Sequence, residues 1–192
     1  MQNQDEISKL IPPFELLWAG VSFTQAWSTW MTAIEKSIRS FKVNFSQLVV
    51  LQALLFSASS LTVTDISRIL PLKTASVSPL LDRLYERQLI SRRRSRSDRR
   101  VVKIDITAQG RELMKEMLPG LNKVMDSVFA QLTEQERNQL IDTCHKITYL
   151  SADSLGANKK TLDTNAKLLA GLISRSQKLR QKPLTQSRIR SK

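Results

Sequence analysis

The sequence predicts a mainly α fold carrying one two-stranded β-hairpin, and three observations predict it. Large apolar residues recur at helical spacing over Phe14–Phe41 and again after Thr107. Between these stretches lie shorter helical periods separated by a Pro-containing break. One alternating run, Val102, Ile104 and Ile106, follows an arginine-rich turn and reads as the return strand of a hairpin. The chain has 192 residues, of which 41% are hydrophobic, enough for one core and an appendage.

From Phe14 to Phe41, Leu16, Phe23, Trp27, Trp30, Ile34, Ile38 and Phe41 follow one helical face, while Leu17, Trp18, Val21 and Met31 make a second face apolar. A helix greasy on two faces must be covered on both, so the segment at about 14–42 is expected to be a dimerisation helix. Ser46 is a good N-cap for a short helix over Gln47–Phe56, with Leu48, Leu51, Leu54 and Leu55 as its buried stripe. Leu61-Thr62-Val63 reads as a brief extended piece. Thr64 then caps a helix over Asp65–Leu70 in which Ile66 and Ile69 face inward, and Pro71 ends it.

Thr74 or Ser76 opens the next helix, which runs to about Gln88 with Val77, Leu80, Leu81 and Leu84 at core spacing. With Ser76 as the cap, Pro79 falls in the first turn, where its missing N–H costs little. Two short helices joined by a tight Pro-containing turn form a helix-turn-helix. Leu89–Arg93 and Arg100–Ile106 are the strands of the hairpin, and Ser95–Arg99 is its charged tip, a wing.

Thr107 caps a long helix from Ala108 to about Leu132, with a kink or short break expected at Pro119-Gly120. Thr133-Glu134-Gln135-Glu136 is a capping box for a last helix of roughly Glu134–Leu150. The expected fold class is therefore a winged helix-turn-helix with long N- and C-terminal dimerisation helices. It occupies residues 1–150, with a DNA-binding lobe at about 46–107 and dimerisation helices at about 14–42 and 108–150. Residues 151–192 form a basic extension. Leu162, Ala166, Leu169 and Ile173 are spaced for one more amphipathic helix, and a Ser-, Gln-, Lys- and Arg-rich end is expected to be mobile.

The net charge of +13 is concentrated in two blocks. Residues 83–103 hold nine Lys/Arg against two acids, and residues 151–192 hold ten against two, whereas residues 1–82 balance to zero. Charge gathered in one short ordered segment and one tail points to a polyanionic partner, double-stranded DNA above all. Enzyme classes are excluded in turn: one histidine, no ligand cluster with metal spacing, no nucleophile elbow, and five ungrouped glycines leave no catalytic, metal or cofactor motif. The start MQNQDEIS has no basic-then-apolar leader, and Phe14–Ile34 carries Glu15, Gln25 and five Ser/Thr, so neither export nor a membrane span is expected. The single Cys144, beside His145 and Lys146, reads as a structural thiol and suits a reducing cytoplasm.

The candidate contact residues follow from chemistry. Thr74, Ser76 and Ser78 are small and polar, letting the helix enter a major groove where hydroxyls meet phosphates or base edges. Arg83 and Arg87 lie further along, in reach of a phosphate or a guanine. Arg92, Arg93, Arg94, Arg96, Arg99 and Arg100 face the lone acid Asp98, a wing suited to a narrow, negative minor groove. Arg93 and Arg94 read equally well as solvating an edge hairpin.

Val77-Ser78-Pro79-Leu80-Leu81-Asp82-Arg83-Leu84, then Leu89-Ile90-Ser91-Arg92, Asp98-Arg99-Arg100, Ile104-Asp105-Ile106-Thr107 and Gly110 resemble the MarR family over about residues 14–150. The resemblance implies a transcriptional regulator binding a pseudo-palindromic operator as a homodimer, most often a repressor. It puts Arg100 at the minor groove, with Asp98 orienting neighbouring arginines. It also implies an effector pocket between dimer helices and lobe, for which Phe14, Trp18, Trp27 and Trp30 are the candidates. Two departures stand out. Gln88 occupies a turn where many relatives have Gly, and Ile11–Trp18 lacks the reactive cysteine of the peroxide-sensing branch. The competing reading is an architectural protein that binds nucleic acid through phosphates alone.

Overall fold

The computed structural model describes residues 14–70, 74–95, 98–156 and 159–181. Helix α1 (Phe14–Ile38) runs into a 3₁₀ turn, Arg39–Phe41, closed by Lys42 at φ 54°, whose N–H donates to the Arg39 carbonyl. Ile34 and Ile38 are fully buried, whereas Leu16, Leu17, Trp18, Val21, Phe23 and Trp27 stay exposed.

Helix α2 (Phe45–Phe56) is capped by Asn44 and not by Ser46. Asn44 accepts from the Gln47 N–H at 2.9 Å, and the Gln47 side chain accepts the Asn44 N–H at 3.1 Å. This reciprocal box satisfies two orphan amides where a lone serine satisfies one, so the helix starts a residue or two early. The same logic moves the next start. Strand β1 (Leu61–Thr62) passes directly into α3 (Val63–Ile69), capped by Thr62 in a box with Asp65 and not by Thr64. Helix α4 (Thr74–Glu86) is already running at Thr74, so Ser76 is not a cap and Pro79 sits in the second turn. The carbonyl of Ala75 thereby loses its intrahelical donor, on an exposed surface where water replaces it.

Strands β2 (Ile90–Arg94) and β3 (Val102–Ile106) pair antiparallel, and β1 adds to the free side of β3, giving the order β1-β3-β2. The expected two-stranded hairpin is thus part of a three-stranded sheet, with buried Leu61 opposite buried Ile104 covering the edge of β3.

Between α4 and β2 the chain reverses at Gln88, which adopts φ 56°. The Gln88 N–H donates to the Tyr85 carbonyl and the Leu89 N–H to the Leu84 carbonyl, the paired bonds of a Schellman C-cap. Glutamine therefore stands in the left-handed conformation that glycine adopts without cost. On the return side, the Thr107 hydroxyl donates to the Gln88 carbonyl at 2.7 Å and accepts from the Gly110 N–H at 3.0 Å, while the Thr107 N–H donates to the Leu89 carbonyl at 3.1 Å. A Cβ on Gly110 would lie 2.2 Å from the Leu89 carbonyl oxygen.

Helix α5 (Ala108–Phe129) passes through Pro119 without the expected break, its Met114, Met117 and Leu121 buried and its flank packed along α1. Helix α6 (Glu134–Ser154) starts at the Thr133 capping box and continues past Leu150, and none of its side chains is fully buried. Helix α7 (Lys159–Gln181) lies against α2 and α3, where Leu172 packs on the core. Within the extension, α7 thus packs on the lobe, and the end expected to be mobile lies outside the described residues. No helix among the described residues is long and apolar enough to cross a membrane. A single core joins Leu48, Leu51 and Leu54 of α2 to Leu81, Leu84, Ile90 and Ile104 of the lobe and to Ile34, Ile38 and Met114 of the long helices.

Substitutions at the junction should have opposite signs. Gly110→Ala forces the Leu89 carbonyl or α5 to move and is expected to cost about 2–3 kcal/mol. Gln88→Gly relieves the left-handed strain and is expected to gain about 0.5–1 kcal/mol. Urea denaturation of both variants checks this; a Gly110→Ala protein as stable as the parent would contradict the described approach of α5 to Leu89.

Candidate nucleic-acid interface

Helix α4 buries Val77, Leu81 and Leu84 and turns Ser76, Ser78, Asp82 and Arg83 outward. Tyr85, 52% exposed, and Glu86 complete that face. Thr74 is the first residue of the helix, and its side chain lies outside the described residues. Arg83 projects to solvent from the middle of the outward face. Arg87 does not join it. Its guanidinium donates to the carbonyls of Phe41 at 2.9 Å and Lys42 at 2.5 Å, tying the end of α4 to the turn after α1. A carbonyl-rich turn forty-odd residues away is a partner that local spacing could not reveal.

The wing is held to the helix by a salt bridge. Arg92 of β2 reaches back to Asp82 at 2.6 Å, and its guanidinium lies 5.4 Å from the centre of the Tyr85 ring. Two residues that look like independent surface charges thus brace α4 against β2. Arg93 pairs with Asp105 across the hairpin at 2.7 Å. Partial burial would push the Asp105 carboxyl up, but hydrogen bonds from Arg93 and Ser60, with the charges of Arg93 and Lys103, outweigh it and hold the pKa below the usual value.

At the wing tip, Asp98 accepts from the Arg100 N–H at 2.9 Å, and its own carbonyl accepts from the Val101 N–H at 3.0 Å. Asp98 thereby shapes the tip backbone as an Asx turn. The turn closes through the Ser95 N–H, which donates to the Val101 carbonyl at 2.8 Å. Arg94, Arg99 and Arg100 are exposed around this tip. Arg96 lies outside the described residues.

Three of the four effector-pocket candidates have described side chains. Trp18 and Trp27 are nine residues apart, two and a half helical turns, and so project from opposite sides of α1. Phe14 begins α1, and its side chain lies outside the described residues. Trp27 and Trp30 do meet, at 5.2 Å between ring centres, and join Phe45 of α2 and Phe129 of α5 in edge-on contacts. The Trp30 indole N–H is buried there and meets no acceptor among the described residues. Phe45 and Phe129 come from elements that no local spacing links to α1.

The same arrangement of helices and wing recurs in known proteins. The family model for the transcriptional regulator SarA/Rot matches residues 32–117. The HTH-type transcriptional repressor MdtR of Bacillus subtilis is 30% identical over 125 residues, covering 65% of this chain and 80% of its own. The HTH-type transcriptional regulator MgrA of Staphylococcus aureus is 32% identical over 107 residues, covering 55% and 72%. Among solved structures, Bordetella bronchiseptica BpsR, whose DNA binding is regulated by 6-hydroxynicotinic acid, superposes with a TM-score of 0.60 at 26% identity, over 68% of this chain and 98% of that one. A cysteine-to-serine mutant of MarR from E. coli, complexed with operator DNA, shares the fold with a TM-score of 0.62 at 17% identity, over 69% and 95%.

Because the folded Asp105 has a lowered pKa, its pair with Arg93 contributes stability that is present above the unfolded-state pKa and lost as pH falls through the folded value. Asp105→Asn is expected to cost about 0.5–1 kcal/mol at neutral pH, with the gap to the parent closing in acid. Thermal midpoints of the two proteins from neutral to acidic pH provide the check; a gap that widens in acid would reverse the assignment.

Proposed function

The chain belongs to the MarR family of winged-helix transcriptional regulators, and from that premise we propose that it acts as a homodimeric repressor reading a pseudo-palindromic operator. DNA-binding transcription regulation is the function its relatives share. The observation that carries the finer reading is the pair between Arg92 and Asp82, which links the outward face of α4 to the wing. In this reading Ser76, Ser78 and Arg83, preceded by Thr74, enter the major groove. Arg99 and Arg100, with Arg96 beside them, track the adjacent minor groove. Asp98 holds the tip that presents them, and Arg87 positions α4 without touching DNA.

The homodimer is supported by two exposed apolar faces. Leu16, Leu17 and Val21 of α1 and Leu140, Ile141, Ile147 and Leu150 of α6 all face solvent in the single chain. Such area is what a stable subunit interface buries. A twofold dimer sets the recognition helices about 34–36 Å apart, one turn of duplex.

A small aromatic acid or similar molecule is the effector that the aromatic cluster suits. Trp27, Trp30, Phe45 and Phe129 pack on one another, and a ligand that parted them would meet a buried donor, the Trp30 N–H. The cluster joins α1, α2 and α5, so a ligand there alters the angle between the long helices and the lobe. The coupling expected is about 1–3 kcal/mol in operator affinity.

Selection from random duplex DNA at near-physiological salt should enrich an inverted repeat whose half-sites lie one helical turn apart. Arg100→Ala should then lower affinity for that repeat about tenfold, equivalent to one good groove contact of about 1–3 kcal/mol. A bound pool with no motif, or with an A·T bias alone, would overturn the operator reading in favour of architectural binding.

A further inference from the structure

Helix α7 gathers four of its basic residues on one side, with Asp163 the single acid beside them. Lys160, Lys167, Arg175 and Lys178, with Gly171 among them, fall at intervals of seven and four, or eight and three, residues, and so form a single stripe along the helix. The inward side is apolar: Leu168, Leu169 and Leu172 are half-buried, and Leu172 packs on the core of the lobe. The stripe is about 27 Å long, the rise of the eighteen residue steps from Lys160 to Lys178. Lys167, Arg175 and Lys178 are exposed and make no ion pair with another described residue.

The docking site of α7 puts this stripe beside α4 and the wing. Lys167 and Arg175 line a groove of about 320 Å³ whose opposite wall is Ser57, Ser60, Leu61 and Asp65. Asp65 makes no ion pair with them; its carboxylate accepts from the Thr62 N–H and hydroxyl and pairs with Arg68. Leu61 and Thr62 form β1, which pairs antiparallel with β3, Thr62 opposite Lys103. As β3 leads away from the wing tip, β1 points toward it, and the start of α3 lies on the wing side of the lobe. Basic residues therefore follow one another from Arg99 and Arg100 at the wing tip to Lys103, exposed on the sheet face that Arg93 shares, and then, beyond Thr62 and the start of α3, to Arg175 and Lys167, while Arg94 lies on the opposite face of the sheet.

We propose that the basic face of α7 is a second DNA-contacting surface, fixed to the lobe, that holds the phosphate backbone flanking the base pairs read by α4 and the wing. This rests on the operator reading above. It assigns the charge of the extension to a folded helix of defined position, which lengthens the footprint on each side of the operator without reading sequence there. An array of cations on a rigid element suits the regular phosphates of a duplex, each of whose strands carries one charge per 3.4 Å of axis.

The test uses the full-length protein and the triple variant K167Q/R175Q/K178Q. These side chains are exposed, so circular dichroism and the thermal midpoint should be unchanged. Affinity is measured against salt on two duplexes: the selected repeat alone, and the same repeat extended by about one helical turn, roughly 10 bp, on each side. The expected result is a shallower salt dependence on the extended duplex only, by about 0.9 in slope for each phosphate that the variant no longer neutralises. The two proteins should match on the short duplex. Identical slopes on the extended duplex would overturn the proposal, and an acidic protein or lipid surface would become the partner to seek. If the parent protein shows no sequence selectivity, the operator reading fails separately. A random duplex of the longer length then decides the α7 contact by the same slope difference.

Discussion

The packing of Leu89 against Gly110 governs the rest of the molecule. At this point the chain leaves the recognition helix for the wing and, after the hairpin, leaves the wing for the long helix α5. Both turns are tied together. Thr107 donates to Gln88 and Leu89 through its hydroxyl and amide, and the absence of a side chain at Gly110 lets the Leu89 carbonyl lie against the first turn of α5. Neither turn can change its course without moving the other.

The consequence is mechanical. The Arg92–Asp82 bridge fixes the wing to α4, and the Leu89–Gly110 crossing fixes both to α5. Arg87 adds a third tie, from the end of α4 to the turn after α1. The recognition helix and the wing are thus tied to each other and to both long helices at three points. In the proposed dimer, an event that shifted α1 against α5, such as occupation of the aromatic cluster at Trp27 and Trp30, would be carried to the spacing of the recognition helices. Bistable packing of rigid elements transmits such shifts better than a flexible joint does.

Much of this is legible in the sequence, and where it is not the reasons are physical. Thr107 and Thr133 announce their helices because each is a cap standing alone before a clear apolar period. Asn44 and Thr62 are obscured by Ser46 and Thr64, because several capping residues crowd each start; the signal that decides between them is the reciprocal partner three residues on, Gln47 and Asp65. The wing is visible as alternation, but its third strand is only Leu61–Thr62, too short to show a period. At the site, the outward set of Ser76, Ser78 and Arg83 follows from helical spacing alone. The roles of Arg87, Arg92 and Asp82 do not, because each depends on a partner brought in by the fold. Likewise the amphipathic period of α7 tells that it needs a partner and not which surface supplies it.

The distance between the two recognition helices on DNA is the most direct test of the proposed dimer. A nitroxide at Glu86→Cys, exposed at the end of α4 away from the proposed groove contacts, in a Cys144→Ser background, reports it by pulsed electron resonance with the selected duplex bound. A narrow distribution at roughly 30–40 Å, one turn of duplex allowing for the labels, is the predicted result. The absence of any distance between protomers, or a broad distribution that DNA leaves unchanged, would contradict it.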